Sequence, residues 1–271
     1  MKCGIVIVNY NSFDLTLNFC KELLQQKNII LYIVIVDNNS NRRSGADELE
    51  RFVKIHKNIH YLQNNENSGY AKGNNIGIKF LESYLKEKEC VIVANNDLNF
   101  TESDTLYELV LEAESQRNAF ISPLILEESG NITPNYAVKR RGWLYDIMLL
   151  TPFRFMLPSI LYKEIREYVD ILPGCFILSL LKNWKSVDYF DEDTFLYGEE
   201  RILAEKIRKC SLISRISIAN RVIHKCSSVV SSNVSNKKKM DYILQGRCIY
   251  HKKYNSKIKY KILKMIIEWK K

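Results

Sequence analysis

Residues 90–100 read Cys90-Val91-Ile92-Val93-Ala94-Asn95-Asn96-Asp97-Leu98-Asn99-Phe100. The apolar, β-branched opening of this stretch has the pattern of a buried strand, and it stops abruptly at two amides and a carboxylate. In an open α/β sheet, ligands bind just beyond the carboxyl ends of the strands. A carboxylate flanked by amides at such an end suits a divalent cation and the oxygens of a nucleotide. Taken alone, a polar turn closing a strand is the simpler reading. Two earlier strands end in similar chemistry, and that repetition shifts the balance toward a site.

Working outward, Cys3–Asn9 is a first buried strand, followed by Tyr10-Asn11-Ser12. A helix is predicted from Phe13 to Gln26, with Leu15, Phe19, Leu23 and Leu24 near one face. A second strand, Leu31–Asp37, ends in Asp37-Asn38-Asn39-Ser40, and a helix follows over Ala46–His56. Ile59–Leu62 is a short third strand, so His56 and His60 straddle a helix end and a strand and read as surface histidines. A polar loop is predicted over 64–75, containing Asn67-Ser68-Gly69-Tyr70 and Lys72-Gly73-Asn74-Asn75, before a helix leads through Leu85 to the strand at Cys90. Alternating strands and helices with short connections are the pattern of a parallel sheet with helices on both faces.

The strand ends carry the chemistry. Asp37 can accept from the N–H of a base or from a ribose hydroxyl. The 67–75 loop offers amides, glycines for close backbone approach and one lysine for a phosphate. Neither a Walker loop nor a G-x-G-x-x-G fingerprint occurs, so a nucleotide site here is of another kind.

The 271 residues, with 46% hydrophobic and 26% charged content, suffice for one large domain or two small ones. The seven cysteines (3, 20, 90, 175, 210, 226 and 248) contain no C-x-x-C and read as core thiols of a cytosolic protein, in neither a zinc site nor a disulfide framework. The chain enters a strand without a basic leader, so no secretory signal is expected. Ile171–Leu181 is the longest apolar run, and with Pro173 and Gly174 inside it is too short to span a bilayer. The net charge of +9 is concentrated at the end: residues 237–271 hold twelve Lys/Arg against two acids, a net +10, leaving −1 for residues 1–236. The high pI is therefore no sign of nucleic-acid binding by the whole fold, and no nucleic-acid partner is expected.

Taken in order, Val8-Asn9-Tyr10-Asn11, Val36-Asp37-Asn38-Asn39-Ser40, Asn67-x-Gly69-Tyr70-Ala71-x-Gly73-Asn74-Asn75 and Asn95-Asn96-Asp97 resemble the signature of family 2 glycosyltransferases. Phe190-Asp191-Glu192 and Phe195-Leu196-Tyr197-Gly198-Glu199-Glu200 are similar to that family's acceptor-side motif, and His224 matches a late histidine. The subgroup most resembled is the rhamnosyltransferase-like enzymes of bacterial surface-polysaccharide assembly, such as capsule or O-antigen. The resemblance covers about residues 3–226.

It implies an α/β GT-A fold, with a Rossmann-like, mostly parallel central sheet flanked by helices. It also implies inverting transfer of a sugar from a UDP- or dTDP-linked donor to a hydroxyl of a growing, lipid-linked glycan. By motif, Asn9 and Asn11 line the nucleoside pocket, Asp37 binds the base, and Asn67 and Lys72 sit near ribose and diphosphate. Asn39, Gly69, Asn75 and Asn96 complete the nucleotide-binding set. Asp97 matches the last acid of the family's D-x-D motif and, with His224, would hold a divalent cation, Mg or Mn, that stabilises the leaving diphosphate. Asn95 replaces the first acid, which removes one negative charge near the cation. A strand-end histidine satisfied by a backbone carbonyl is the alternative for His224. Glu200 aligns with the general base, while Glu199 beside it is expected to point elsewhere. The alternative is a pair of acids stabilising the N-terminus of a helix over 200–209. Pro173-Gly174-Cys175-Phe176-Ile177-Leu178 matches that family's small-residue turn entering a strand beneath the acceptor site, and a simple strand entry is the alternative.

The expected organisation is a GT-A domain over 1–236, with a nucleotide-sugar half to about residue 125 and an acceptor half after it, then a basic helical extension over 237–271. Residues 140–168, rich in aromatics, read as an acceptor-binding insertion, a membrane-facing insertion or a helical core subdomain, with the last favoured. In the extension, Ile258, Ile262, Ile266 and Trp269 recur at helical spacing among lysines. That pattern suits either an anionic membrane surface or packing on the domain. The expected setting is cytoplasmic, with peripheral contact on the inner membrane face left open. A sugar nucleotidyltransferase, and a non-enzymatic membrane or nucleic-acid adaptor with a basic tail, are the rival readings.

Overall fold

The computed structural model describes residues 1–225 and 235–269. The N-terminal half follows the predicted alternation: β1 (Lys2–Asn9), α1 (Phe13–Leu24), β2 (Ile30–Asp37), α2 (Ala46–Ile55), β3 (Ile59–Gln63), α3 (Gly69–Leu81) and β4 (Cys90–Ala94). Then come β5 (Leu98–Phe100), α4 (Thr105–Ser115), β6 (Ala119–Leu126), α5 (Trp143–Leu149), a 3-10 turn (Pro152–Met156), β7 (Phe176–Leu180), α6 (Leu181–Ser186) and α7 (Glu199–Lys209). β8 (Ile213–His224), α8 (Asn236–Tyr254) and α9 (Lys257–Trp269) complete the fold. Among the described residues, eight strands form one sheet in the order β3-β2-β1-β4-β7-β6-β8-β5. Strands β1 to β4 pair in parallel, whereas β7 runs antiparallel to both β4 and β6.

Side chains alternate across a strand, and here each face has its own residue type. Ile5, Ile7, Ile33, Ile35 and Ile92 pack with α1, α2 and α4, while Val6, Val34, Val36, Val91 and Val93 pack with α3, α6 and α7. The stretch opened at Cys90 is thus a central strand buried on both faces.

Three expectations change. The loop predicted over 64–75 ends early, because α3 begins at Gly69. Its glycines and asparagines mimic loop composition but do helical work. Gly77 lets the helix lie against Val6, and the Asn74 amide donates to the Tyr70 carbonyl one turn back. Residues 140–168 are no helical core subdomain: they hold a seven-residue helix and a five-residue 3-10 turn, with Phe153, Phe155 and Met156 exposed. Of the cysteines, Cys3, Cys20, Cys90 and Cys175 are core thiols, but Cys210 is exposed and Cys248 half-buried. Cys226 lies outside the described residues.

Helix α8 packs directly on residues 191–198, ahead of α7. Gly246 meets the turn at Tyr197 and Gly198, the Phe195 and Tyr242 rings lie 4.8 Å apart, and Lys253 Nζ reaches Asp191 at 2.6 Å. On α9, Leu263 and Ile267 bury against Leu150 and Leu244, and the Trp143 indole donates to the Lys259 carbonyl. Domain packing thus takes one face of the basic helices and leaves Ile258, Met265 and Trp269 exposed among lysines.

Candidate active site

The carboxyl ends of the parallel strands open into a cleft of about 930 Å³. Beneath it the strand-end polar residues form one hydrogen-bonded network. The Asn96 amide donates to Ser12 Oγ and Thr16 Oγ1, and both hydroxyls donate to Asn9 Oδ1 at 3.0 and 2.8 Å. Asn9 Nδ2 in turn donates to Asp37 Oδ1 at 2.6 Å. Ser40 donates to Asp37 through its hydroxyl and its backbone N–H, and Gln63 through its amide at 3.0 Å. Fully buried, the Asp37 carboxylate is stabilised by these donors, as buried charge requires.

Six of the sequence-predicted residues border the cleft: Asn67, Gly69, Asn96, Asp97, Glu200 and His224. The other six lie outside its lining. Asn9 and Asp37 are in the network just described. Asn11 and Asn39 take left-handed backbone, at φ 55° and 58°, which asparagine tolerates. Asn11 Oδ1 accepts from the backbone N–H groups of Asn41 and Arg42, and the Asn39 amide donates to the Asn65 carbonyl. Lys72 pairs with Glu66 at 3.2 Å, and Asn75 exchanges two hydrogen bonds with the Phe190 backbone.

Asp97 and His224 meet because β5 and β8 pair with Leu98 opposite His224. Asp97 Oδ1 lies 3.1 Å from His224 Nε2, and this buried oxygen accepts no hydrogen bond. A carboxylate and an imidazole so placed fit two ligands of a divalent cation whose other positions come from substrate phosphates and water. Among the described residues, no group of three or more His, Cys, Asp or Glu stands close enough to hold a metal by protein alone.

The first turn of α7 brings two carboxylates into the same cleft. Glu199 does not point elsewhere: it is buried, borders the cleft beside Glu200, and its Oε2 has no hydrogen-bond partner. Burial, and then the charge of Glu200, hold the Glu199 carboxyl well above the usual carboxylate range. Burial also raises Glu200, opposed by the backbone N–H groups of Glu200 and Gly198. Gly174 makes room for Glu200, and the Tyr70 hydroxyl donates to the Gly174 carbonyl at 2.5 Å. Burial and the two glutamates push the Tyr70 phenol up, so it remains a donor.

The cleft is also lined by residues that sequence reading did not select: Tyr10, Asn38, Tyr70, Arg141, Arg201 and Arg247. The first three lie within the motifs quoted above and were within reach of the sequence. The arginines carry no local signal, since they come from an irregular segment, the back of the acid pair and the basic tail.

The family model "Glycosyl transferase family 2" matches residues 4–176, from β1 to the start of β7. The low-salt glycan biosynthesis hexosyltransferase Agl10 of Haloferax volcanii is 31% identical over 198 residues, or 73% of the chain. Those residues span 58% of that relative, less than two-thirds of its length. Among solved structures, GalNAc-T7 with UDP, GalNAc and Mn2+ superposes with a TM-score of 0.66 at 17% identity, covering 92% of this chain and 48% of that one. The mannosyltransferase PcManGT of Pyrobaculum calidifontis, with GDP-Man and Mn2+, gives 0.63 at 14% identity, covering 97% and 68%. S. aureus TarS with UDP-GlcNAc gives 0.58 at 16% identity, covering 92% and 65%. These likenesses show a GT-A-like fold with a curled mixed sheet, and the family match over most of the chain adds its sequence signature. The chain belongs to glycosyl transferase family 2.

Proposed function

We propose that the protein is an inverting hexosyltransferase of the rhamnosyltransferase-like subgroup. It moves a sugar from a UDP- or dTDP-linked donor to a hydroxyl of a lipid-linked surface glycan at the cytoplasmic membrane face. The observation that carries this reading is the meeting, in one cleft, of Asp97 and His224 at the strand ends with the Glu199–Glu200 pair of α7. The relative's role as a glycan-biosynthesis hexosyltransferase, and the nucleotide sugars and Mn2+ in the neighbours, support it.

In this reading the base lies against Tyr10 and Asn38, and Asp37 accepts its N–H where the exposed Gln63 amide now donates. Asn67 and the Gly69 backbone face the ribose. Asn9, Asn11 and Asn39 shape the strand-end turns, while Lys72 and Asn75 hold α3 in place. Asp97 and His224 would hold Mg or Mn, whose charge offsets that of the diphosphate leaving group. Glu200 takes the proton of the acceptor hydroxyl as its oxygen forms a bond to the anomeric carbon. The bond from that carbon to the diphosphate oxygen breaks on the opposite face, so configuration inverts. Burial brings the Glu200 pKa closer to working pH, where a general base is most effective.

An anionic membrane surface is proposed as a partner of α9. Its inner face is covered by the domain, while Ile258, Met265 and Trp269 form an outer stripe beside Lys257, Lys261 and Lys264.

The test is a thermal-shift panel with UDP, dTDP, GDP and CMP, each with and without manganese, followed by nucleoside-diphosphate release from the matching donor. Binding to the folded state should raise the melting temperature by mass action for UDP or dTDP. Wild-type turnover by Glu200→Gln removes the base assignment. Unchanged binding of nucleotide and manganese by Asp97→Ala removes the cation site.

A further inference from the structure

Beyond Glu200, the cleft runs into a buried cluster in which three guanidiniums face one carboxylate. Asp146, wholly buried on α5, receives Arg201 Nη1 on its Oδ2 at 2.6 Å. Arg141 Nε stands 3.0 Å and Arg247 Nε 3.8 Å from its Oδ1. His251 Nε2 is 2.8 Å from Oδ2. Even with a neutral histidine, the cations outnumber the anion by two.

Glu199 and Glu200 border the same cleft, but among the described residues neither forms an ion pair with these arginines, and the other neighbouring carboxylates are already taken. Glu205 is taken by Arg140, Arg208 and Tyr250, and Asp191 and Asp193 by Lys253. Arg201 is itself committed: Nη2 donates to the Arg141 carbonyl at 2.8 Å, and its Cζ lies 3.6 Å from the Tyr250 ring centroid. Arg141 and Arg247 differ. Both border the cleft, and among the described residues neither pairs with a carboxylate other than Asp146. The Nε atoms of all three arginines are buried, and those of Arg141 and Arg247 face the single oxygen Asp146 Oδ1. Burial first, and then the facing guanidiniums, lower the arginine pKa values at 141 and 247 against the pull of Asp146. Uncompensated buried charge is destabilising unless a counter-charge arrives. Here the open side of the cluster is the cleft.

We propose that Arg141 and Arg247, with Lys238 at the rim, bind a phosphate or diphosphate group carried by the acceptor. Planar guanidinium forks match phosphate oxygens, and the cluster supplies the charge in advance of the ligand. This deepens the glycosyltransfer reading and rests on it: Arg201 follows Glu200 on α7, so an acceptor with its hydroxyl at Glu200 would extend its phosphate toward these residues. The surface favours a lipid as the carrier, since α5 and the following turn expose Leu144, Phe153, Phe155 and Met156 on the same lobe.

The test is isothermal titration of the full chain, with and without saturating UDP and manganese, using sodium pyrophosphate, geranyl diphosphate and glycerol 3-phosphate. Geranyl diphosphate should bind in both conditions and more weakly as salt rises. Arg247→Gln and Arg141→Gln should each weaken it roughly tenfold or more while leaving UDP affinity within about twofold. Tighter binding of geranyl diphosphate than of pyrophosphate assigns the lipid-borne group, and equal binding assigns the anion alone. The proposal is overturned if no probe binds, if UDP displaces the probes, or if the variants bind as the parent does. Should a variant fail to fold, competition on the unaltered chain still decides. Should UDP itself fail to bind, the donor reading falls, and the titration without nucleotide still reads the arginine site.

Discussion

Replacing Gly174 with alanine tests the base assignment without touching the base. A Cβ built at 174 would stand 2.9 Å from Glu200 Cγ and 3.0 Å from Cδ, with Oε1 nearer still. To restore van der Waals separation, the carboxyl carbon must retreat by about 0.5 Å and the nearer oxygen by more. The atoms that move are the end of a flexible side chain, so the cost to folding should sit at the low end for overpacking, about 1 kcal/mol. Catalysis is less forgiving, because a displacement of about 1 Å can cost ~100-fold in rate. The expected result for Gly174→Ala is a fall in kcat of roughly 10- to 100-fold, with nucleotide affinity unchanged and melting temperature nearly so. The assay is steady-state release of nucleoside diphosphate beside calorimetry of UDP binding. Glu200→Gln supplies the limit, since a general base contributes roughly 10²–10⁴-fold. Wild-type kcat in Gly174→Ala would refute the reasoning, because the reactive carboxylate could then not be the one packed on that glycine.

The remaining predictions concern charge and packing. Glu199 has a folded pKa raised above its ordinary value of 4.5, so its contribution is intact below that pH and lost as pH rises through the folded value. Glu199→Gln should therefore raise the melting temperature more at pH 8 than at pH 5, and a rise independent of pH would contradict this. Burial raises the Asp146 carboxyl, but His251, Arg201 and Arg141 outweigh it and bring it down to about 2. That pairing adds about 2 kcal/mol of stability above its ordinary range, lost as pH falls from about 4 toward 2, and acid denaturation of Asp146→Asn against the parent measures it. At Gly246 an added Cβ would lie 3.2 Å from the Tyr197 carbonyl carbon and closer to its oxygen, against rigid backbone. Gly246→Ala should cost about 1–3 kcal/mol in denaturant melts and weaken probe binding at the arginine cluster, because α8 must lift. Trp269→Ser with Phe155→Ser should reduce sedimentation with anionic vesicles and spare that with none; unchanged sedimentation would remove the membrane partner.

Much of the N-terminal half was legible in the sequence because its determinants are local. Each central strand is a short β-branched run, and each polar end follows its own strand, so the stretch Asn95-Asn96-Asp97, which lines the cleft, could be singled out before any fold was known. Local reading also set its own errors. Asn67–Asn75 has loop composition, and only the close approach of α3 to Val6 explains why glycine and asparagine serve a helix there. Asn9 and Asp37 read alike as polar strand ends, and only the pairing of β1 with β2 shows that the two bond each other. What tertiary structure alone decided is which distant charges meet. Asp97 faces His224 through the pairing of β5 with β8, and Arg141, Arg201 and Arg247 surround Asp146 because α5, α7 and α8 converge. Periodicity and turn chemistry are properties of neighbouring residues, whereas electrostatic excess is a property of a place. The sequence determined the strands and their polar ends; packing determined that a basic helix would line the cleft they open into.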